Sequence, residues 1–146
     1  EIDSLADLRD ASRERLLTEI GMLRQQNGTA ELAAAKGAVV NVTSIAGSRV
    51  HPFAGAAYST SKAALKSLTR EMAHDFGPLG VRVNSIAPGE VETSILSPGT
   101  DKIVDGLPMR RLGQPAEVAD VIHFLCSDQS SYVTGTEIEV NGGQHV

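Results

Sequence analysis

The sequence predicts an α/β fold built on a parallel β-sheet, and two observations lead to this. Three short segments, 38–42, 81–86 and 137–140, have the β-rich, continuously apolar character of strands that are buried on both faces. Two helical segments, 56–76 and 115–126, lie between them. An order of strand, helix, strand, helix, strand is typical of a parallel sheet covered by helices.

Both helices carry residues that favour their ends. The first is followed by Gly77 and Pro78, which stop a helix. The second begins at Pro115, whose fixed φ suits the first turn, and Glu117 places a negative charge near the positive end of the helix dipole. The residues from 87 to 114, rich in Gly and Pro, are too many for a plain connection, so we expect a lid or a disordered loop there.

Composition restricts the class of protein. The 146 residues are 41% hydrophobic and 21% charged, as expected for one soluble domain. A net charge of -5 without a Lys/Arg-rich run argues against nucleic acid or an anionic membrane as partner. No apolar stretch approaches the roughly 20 residues of a membrane span and the N-terminus does not resemble a signal peptide, so we expect a cytoplasmic protein. The single Cys126 is expected to pack as a small apolar residue.

Tyr58 and Lys62 form the pattern that carries chemistry. They are four positions apart, so on a helix they share one face about one turn from each other. A cation beside a phenol favours its ionised form, which prepares the phenol to exchange a proton with an alcohol or ketone oxygen. The pattern alone occurs by chance in many helices, and its surroundings give it weight.

Those surroundings are two strands that end in polar or glycine-rich residues. Segment 37–47 is a strand that ends in Thr43, Ser44 and a glycine turn, and segment 80–93 is a strand that breaks at Pro88 and Gly89. In open α/β sheets ligands gather at the carboxyl ends of the strands. We therefore expect Ser44 to lie close to Tyr58.

Together with the closing segment 133–143, these motifs resemble the short-chain dehydrogenase/reductase family, particularly its 3-oxoacyl reductase and glucose dehydrogenase types. The resemblance implies the C-terminal part of a doubly wound, Rossmann-like parallel sheet. It also implies NAD or NADP as cofactor, a small alcohol or ketone as substrate, and a homodimer or homotetramer. No metal is expected, because the four histidines lack metal-ligand spacing.

The resemblance assigns roles to individual residues. Tyr58 would be the general acid/base, Lys62 would favour the phenolate and hold the nicotinamide ribose, and Ser44 would polarise the substrate oxygen. The candidate cofactor-binding residues are Tyr58, Lys62, Pro88, Gly89, Val91 and Thr93. Among them, Val91 would contact the nicotinamide carboxamide through its backbone, and Gly89 would let that backbone approach the cofactor.

Two departures from the family leave alternatives open. Ser44 and Tyr58 are 14 positions apart, about one more than expected, so Thr43 is a possible substitute for Ser44. The glycine-rich turn that receives the pyrophosphate, and the strands around it, are absent from this sequence. We therefore predict one partial Rossmann-like domain over 1–146, with a helical lead-in at 1–36 and the catalytic portion at 37–146. The alternative function is a non-catalytic fragment or oligomerisation scaffold derived from the family.

Overall fold

A computed structural model describes residues 36–94, 96 and 99–146. The helical lead-in predicted for 1–36 lies, apart from Lys36, outside the described residues. The division into a lead-in and a catalytic portion therefore stays a prediction.

The sheet has three parallel strands in the order β1 (Ala38–Val42), β2 (Arg82–Pro88) and β3 (Glu137–Val140). The predicted α/β class and the strand order along the chain are confirmed. Strand β2 runs two residues further than predicted, to Pro88. Proline has no N–H to donate to a neighbouring strand. The pairing with β3 nevertheless reaches Pro88, because the N–H of the next residue, Gly89, donates to the Val140 carbonyl at 3.1 Å.

Three helices accompany the sheet: α1 (Gly55–Phe76), α2 (Asp101–Val104) and α3 (Pro115–Cys126). Helix α3 has the predicted bounds, and α1 begins one residue earlier than predicted. The start of α3 is fixed by a capping box, in which the Glu117 carboxylate accepts from the Gln114 N–H at 2.7 Å. No helix among the described residues is long and apolar enough to cross a membrane.

The core lies around the middle of β2, where Val83, Asn84 and Ile86 are fully buried. Asn84 is satisfied there by backbone partners. Its amide donates to the Val133 carbonyl at 2.9 Å and accepts from the Thr136 N–H at 3.2 Å. The side chain thus ties the segment that leads into β3 to the central strand.

The described part of the segment between β2 and α3 contains α2 and an isolated parallel bridge between Val91 and Gly113, so it is at least partly ordered, and the lid expected there stays a prediction. One expectation is corrected by the structure. Cys126 is exposed, whereas its neighbour Leu125 is fully buried. The helix turns its leucine and not its cysteine towards the sheet, so the packed role expected for Cys126 is wrong in this structure.

Candidate functional site

A pocket of about 590 Å³ opens where β1 and β2 end. Six of the residues predicted from the sequence line it: Ser44, Tyr58, Pro88, Gly89, Val91 and Thr93. The remaining lining residues are Ile45, Ala46, His51, Phe53, Ala54, Glu90, Leu96, Pro115 and Val118. Most of these are apolar, which is typical of a pocket that binds a small organic molecule.

Ser44 follows β1 and begins the 3-10 turn Ile45–Gly47. Its backbone is extended and its Oγ accepts from the Ala46 N–H at 3.2 Å, as in an N-cap. Thr43 is only 3% exposed, and its Oγ1 lies 2.6 Å from Glu137 Oε1 and 2.8 Å from the Ile86 carbonyl oxygen. The structure thus brings Ser44, and not Thr43, to the pocket.

Tyr58 and Lys62 lie one turn apart near the start of α1. Tyr58 is 46% exposed and lines the pocket, and the Lys62 Nζ lies 5.5 Å from the centre of its ring. The same Nζ donates to the Val42 carbonyl at 3.0 Å. Lys62 is not itself among the lining residues, so it lies beside Tyr58 and behind the wall of the pocket.

Gly47 sets how closely the turn that carries Ser44 packs on α1. A Cβ at this position would lie 2.9 Å from both the carbonyl carbon of Lys62 and the backbone nitrogen of Ala63. Both atoms belong to the helix backbone and cannot move aside. Only glycine allows the Ser44 turn to approach the turn of α1 that holds Lys62.

The segment after β2 is held in place from two sides. On one side, Val91 forms the bridge with Gly113, and the Glu92 N–H donates to the Gly113 carbonyl at 2.8 Å. On the other, a Cβ on Gly89 would lie 2.7 Å from the Asn141 Cβ and 2.5 Å from Gln144 Oε1. Besides any approach to a cofactor, Gly89 is therefore needed for packing against the C-terminal residues.

Sequence reasoning missed a polar cluster in the wall of the pocket. The His51 Nε2 lies 2.9 Å from Glu90 Oε1, and the Gln144 Oε1 accepts from the Glu90 N–H at 3.2 Å. These residues come from three distant parts of the chain, and no motif connects them in the sequence. The position of Glu90 directly after Pro88 and Gly89 was the one local signal that could have placed it in the pocket.

Beside the pocket, Arg111 and the first turn of α3 form a bidentate ion pair. The Glu117 carboxylate accepts from Arg111 Nη1 at 2.8 Å and from Nη2 at 2.6 Å. The hydrogen bonds from Arg111, followed by that from the Gln114 N–H, lower the pKa of Glu117 from 4.5 to about 2. Among the described residues, no group of His, Cys, Asp and Glu side chains is arranged to hold a metal ion.

Comparison with known proteins gives relatives over most of the chain. A family profile described as enoyl-(acyl carrier protein) reductase matches residues 19–145. Protein FixR of Bradyrhizobium diazoefficiens is 67% identical over 80% of this chain and 42% of its own length. The cyclohexanol dehydrogenase of a Rhodococcus species is 37% identical over 97% of this chain and 58% of its own.

Solved structures give the same picture for the fold. A 3-oxoacyl-[acyl-carrier protein] reductase from Brucella melitensis, solved with bound NAD, is 40% identical with a TM-score of 0.75. The match covers 81% of this chain and 45% of that one. The predicted Rossmann-like fold and the identification of the C-terminal portion are confirmed by this match. The chain spans about half the length of the relatives it matches.

Proposed function

Because the chain belongs to the short-chain dehydrogenase/reductase family, we propose that its residues supply the reaction centre of an NAD- or NADP-dependent oxidoreductase. The reaction moves a hydride between the nicotinamide and the carbon of a carbonyl or secondary alcohol. The proposal rests mainly on one observation. One pocket is lined by Ser44, by Tyr58 and by all residues from Pro88 to Thr93 except Glu92, which are far apart in sequence, and Lys62 lies beside Tyr58.

The pocket suits a nicotinamide cofactor on the side formed by the segment after β2. There the backbone of Val91 is held by Gly113, and the exposed Thr93 lines the rim. Val91 would hold the carboxamide, Thr93 would add a side-chain hydroxyl, and Tyr58 and Lys62 would hold the ribose. A bound cofactor would supply or accept the hydride at C4 of its nicotinamide ring.

The side chains of this chain handle the proton. In reduction, the Tyr58 hydroxyl donates its proton to the carbonyl oxygen as the carbonyl carbon gains the hydride, so the product is a secondary alcohol. In oxidation, the Tyr58 phenolate takes the proton of the alcohol. The Ser44 hydroxyl donates a hydrogen bond to the same oxygen and stabilises the charge that develops on it. The Lys62 Nζ lies 5.5 Å from the centre of the Tyr58 ring, so its positive charge is beside the residue that exchanges the proton.

Cofactor titration and one substitution test this function in the protein expressed from its complete gene. Fluorescence titration with NADH and NADPH should show binding. Tyr58→Phe should lower turnover of a ketone panel by about 10²- to 10⁴-fold, since it removes the proton donor, and should weaken cofactor binding far less, since Lys62 still holds the ribose. The matched control is Tyr132→Phe, because Tyr132 is fully exposed and does not line the pocket.

Two results contradict the proposal. Unchanged turnover in Tyr58→Phe removes the role of Tyr58 as acid/base. Absence of nicotinamide binding at millimolar concentration favours the alternative of a non-catalytic fragment or oligomerisation scaffold. The exposed Val42, at 45%, lies on the outer strand β1 and is the feature that this alternative would use. A homodimer or homotetramer and a cytoplasmic location stay predictions.

A further inference from the structure

Building on the proposed oxidoreductase function, we propose that Glu90, held by His51, determines substrate specificity. The pair selects an uncharged ketone or alcohol that carries a second hydroxyl group, and it disfavours substrates with a carboxylate or phosphate. The pair lies within the same pocket as Ser44 and Tyr58 but is distinct from the residues assigned to the reaction and to the cofactor.

Both side chains are largely shielded from solvent and both line the pocket. The side chains of His51 and Glu90 are 12% and 13% exposed, and Nε2 lies 2.9 Å from Oε1. Three neighbours hold the pair in place. The Gln144 side chain accepts from the Glu90 N–H, and the Gln144 backbone carbonyl accepts from the Arg49 guanidinium. The Phe53 N–H donates to His51 Nδ1 at 3.4 Å.

The hydrogen-bond partners of His51 indicate which ring nitrogen faces the carboxylate with a hydrogen. A carboxylate oxygen only accepts, so the His51 Nε2 beside it carries a hydrogen. The Phe53 N–H only donates, so Nδ1 accepts and carries none. The pair thus brings one carboxylate to the wall of the pocket, and the partner of that carboxylate is an imidazole and not a Lys or Arg. Even a protonated imidazole would leave the pair with no net positive charge.

Nothing in the described lining compensates that charge. Among the described residues that line the pocket there is no Lys or Arg. Among the described cations beside the pocket, Arg111 is paired with the Glu117 carboxylate, and Arg49 and Lys62 donate to the backbone carbonyls of Gln144 and Val42 and are not among the lining residues. A substrate carboxylate would enter a partly desolvated pocket against a like charge, which is unfavourable.

The second carboxylate oxygen of Glu90 accounts for the preference for a substrate hydroxyl. His51 uses Oε1, and none of the described residues donates to Oε2. A shielded carboxylate oxygen without a donor is a strong acceptor for a substrate hydroxyl. A site that hydrogen-bonds a hydroxyl also disfavours the analogue that lacks it, since the carboxylate oxygen then loses this partner.

The test compares kcat/KM for methyl ketones that differ only at the far end, in the protein expressed from its complete gene. The series starts with hydroxyacetone, butanone and acetoacetate and continues with longer chains that end in hydroxyl, methyl or carboxylate. In the wild type, kcat/KM should be about tenfold higher for the hydroxyl end than for the methyl end, because the hydroxyl gains one hydrogen bond to a charged group. For the carboxylate end it should be lower than for the methyl end by about tenfold or more, because two like charges meet.

Glu90→Gln removes the charge and keeps a side-chain oxygen that accepts from His51, so the pocket is retained. This variant should raise kcat/KM for the carboxylate relative to the methyl ketone by about tenfold. Glu92→Gln is the matched control, because Glu92 is two residues away, exposed and outside the pocket. It makes the same charge change and should leave the ratio unaltered.

The outcomes separate this inference from the function on which it rests. If Tyr58→Phe loses turnover and Glu90→Gln leaves the ratio of carboxylate to methyl ketone unchanged, the oxidoreductase stands and the role of Glu90 is wrong. A wild type that prefers the carboxylate, or equal ratios in Glu90→Gln and Glu92→Gln, overturns the inference as well. Full turnover in Tyr58→Phe instead contradicts the proposed function itself.

Discussion

Lys66 and Glu137 form an ion pair of 2.5 Å between α1 and the first residue of β3. The Glu137 side chain is 7% exposed, and its second oxygen lies 2.6 Å from the Thr43 Oγ1. A carboxylate on β3 thus links the helix that carries Tyr58 to the end of the strand that leads to Ser44. Among the described residues, the pair is a charged contact that joins α1 to β3.

Lys66→Met should lower the free energy of unfolding by about 2 kcal/mol. It leaves the buried carboxylate of Glu137 without its cation, and removing one partner of a buried pair is costly; the figure is below the full cost because Lys66 is partly exposed. Urea unfolding followed by circular dichroism measures the change. Adding Glu137→Gln to Lys66→Met should recover part of the loss. A loss no larger than that of Lys102→Met, an exposed lysine on α2, would show that the pair contributes little.

Ser44→Ala should mainly lower catalysis, whereas Thr43→Val should mainly lower stability. Ser44→Ala removes the donor to the substrate oxygen and should lower kcat by about 10²- to 10³-fold with a small change in stability. Thr43→Val removes a buried hydroxyl beside Glu137 and should cost about 1–3 kcal/mol of stability. Steady-state kinetics and urea unfolding of both variants give the comparison. A larger loss of kcat in Thr43→Val at a temperature where it is folded would transfer the role to Thr43.

Gly47→Ala should cost about 1–3 kcal/mol of stability and also lower turnover. The added methyl would lie 2.9 Å from the backbone of Lys62 and Ala63, so the turn with Ser44 must move away from α1. Gly113→Ala is the control for stability, since a Cβ at Gly113 would lie no nearer than 3.6 Å to the Glu90 carbonyl oxygen and its φ is not positive. Thermal unfolding and kcat of the two variants measure both effects. Equal stability of the two would mean that the turn adjusts without strain.

The sequence predicted the elements well because the signals for them are local. Continuous apolar runs marked the strands, and Gly77, Pro115 and Glu117 marked the helix ends, so most bounds agree with the structure within two residues. The residues that meet at the carboxyl ends of β1 and β2 were predictable too, because parallel strands bring these ends to one edge.

The sequence could not predict which distant side chains meet. His51, Glu90 and Gln144 come from three separate segments, and their contact depends on how the C-terminal residues fold back on Gly89. The packing of Cys126 was predicted wrongly because a short apolar helix does not show in its sequence which face turns to the sheet. Such contacts depend on tertiary packing, for which a short sequence pattern carries no signal.

The pair of Arg111 and Glu117 should make the stability of the protein depend on pH in acid. Folding lowers the pKa of Glu117 from 4.5 to about 2, mainly through its hydrogen bonds with Arg111. A group whose pKa is lower in the folded state favours folding above its unfolded value. Its contribution is therefore complete above about pH 4.5 and is lost as the pH falls from there to about 2.

Arg111→Gln should raise the pKa of Glu117 towards 4.5 without reaching it, because the hydrogen bond from the Gln114 N–H remains at 2.7 Å. Carboxyl carbon chemical shifts followed by NMR across the acid range give the midpoint directly. The variant should also lose part of the fall in stability between pH 4.5 and 2. Arg110→Gln removes the adjacent arginine, which donates to the Asp105 carbonyl and not to Glu117, and should leave the midpoint in place. An equal midpoint in both variants would assign the low pKa to the helix N-terminus and not to Arg111.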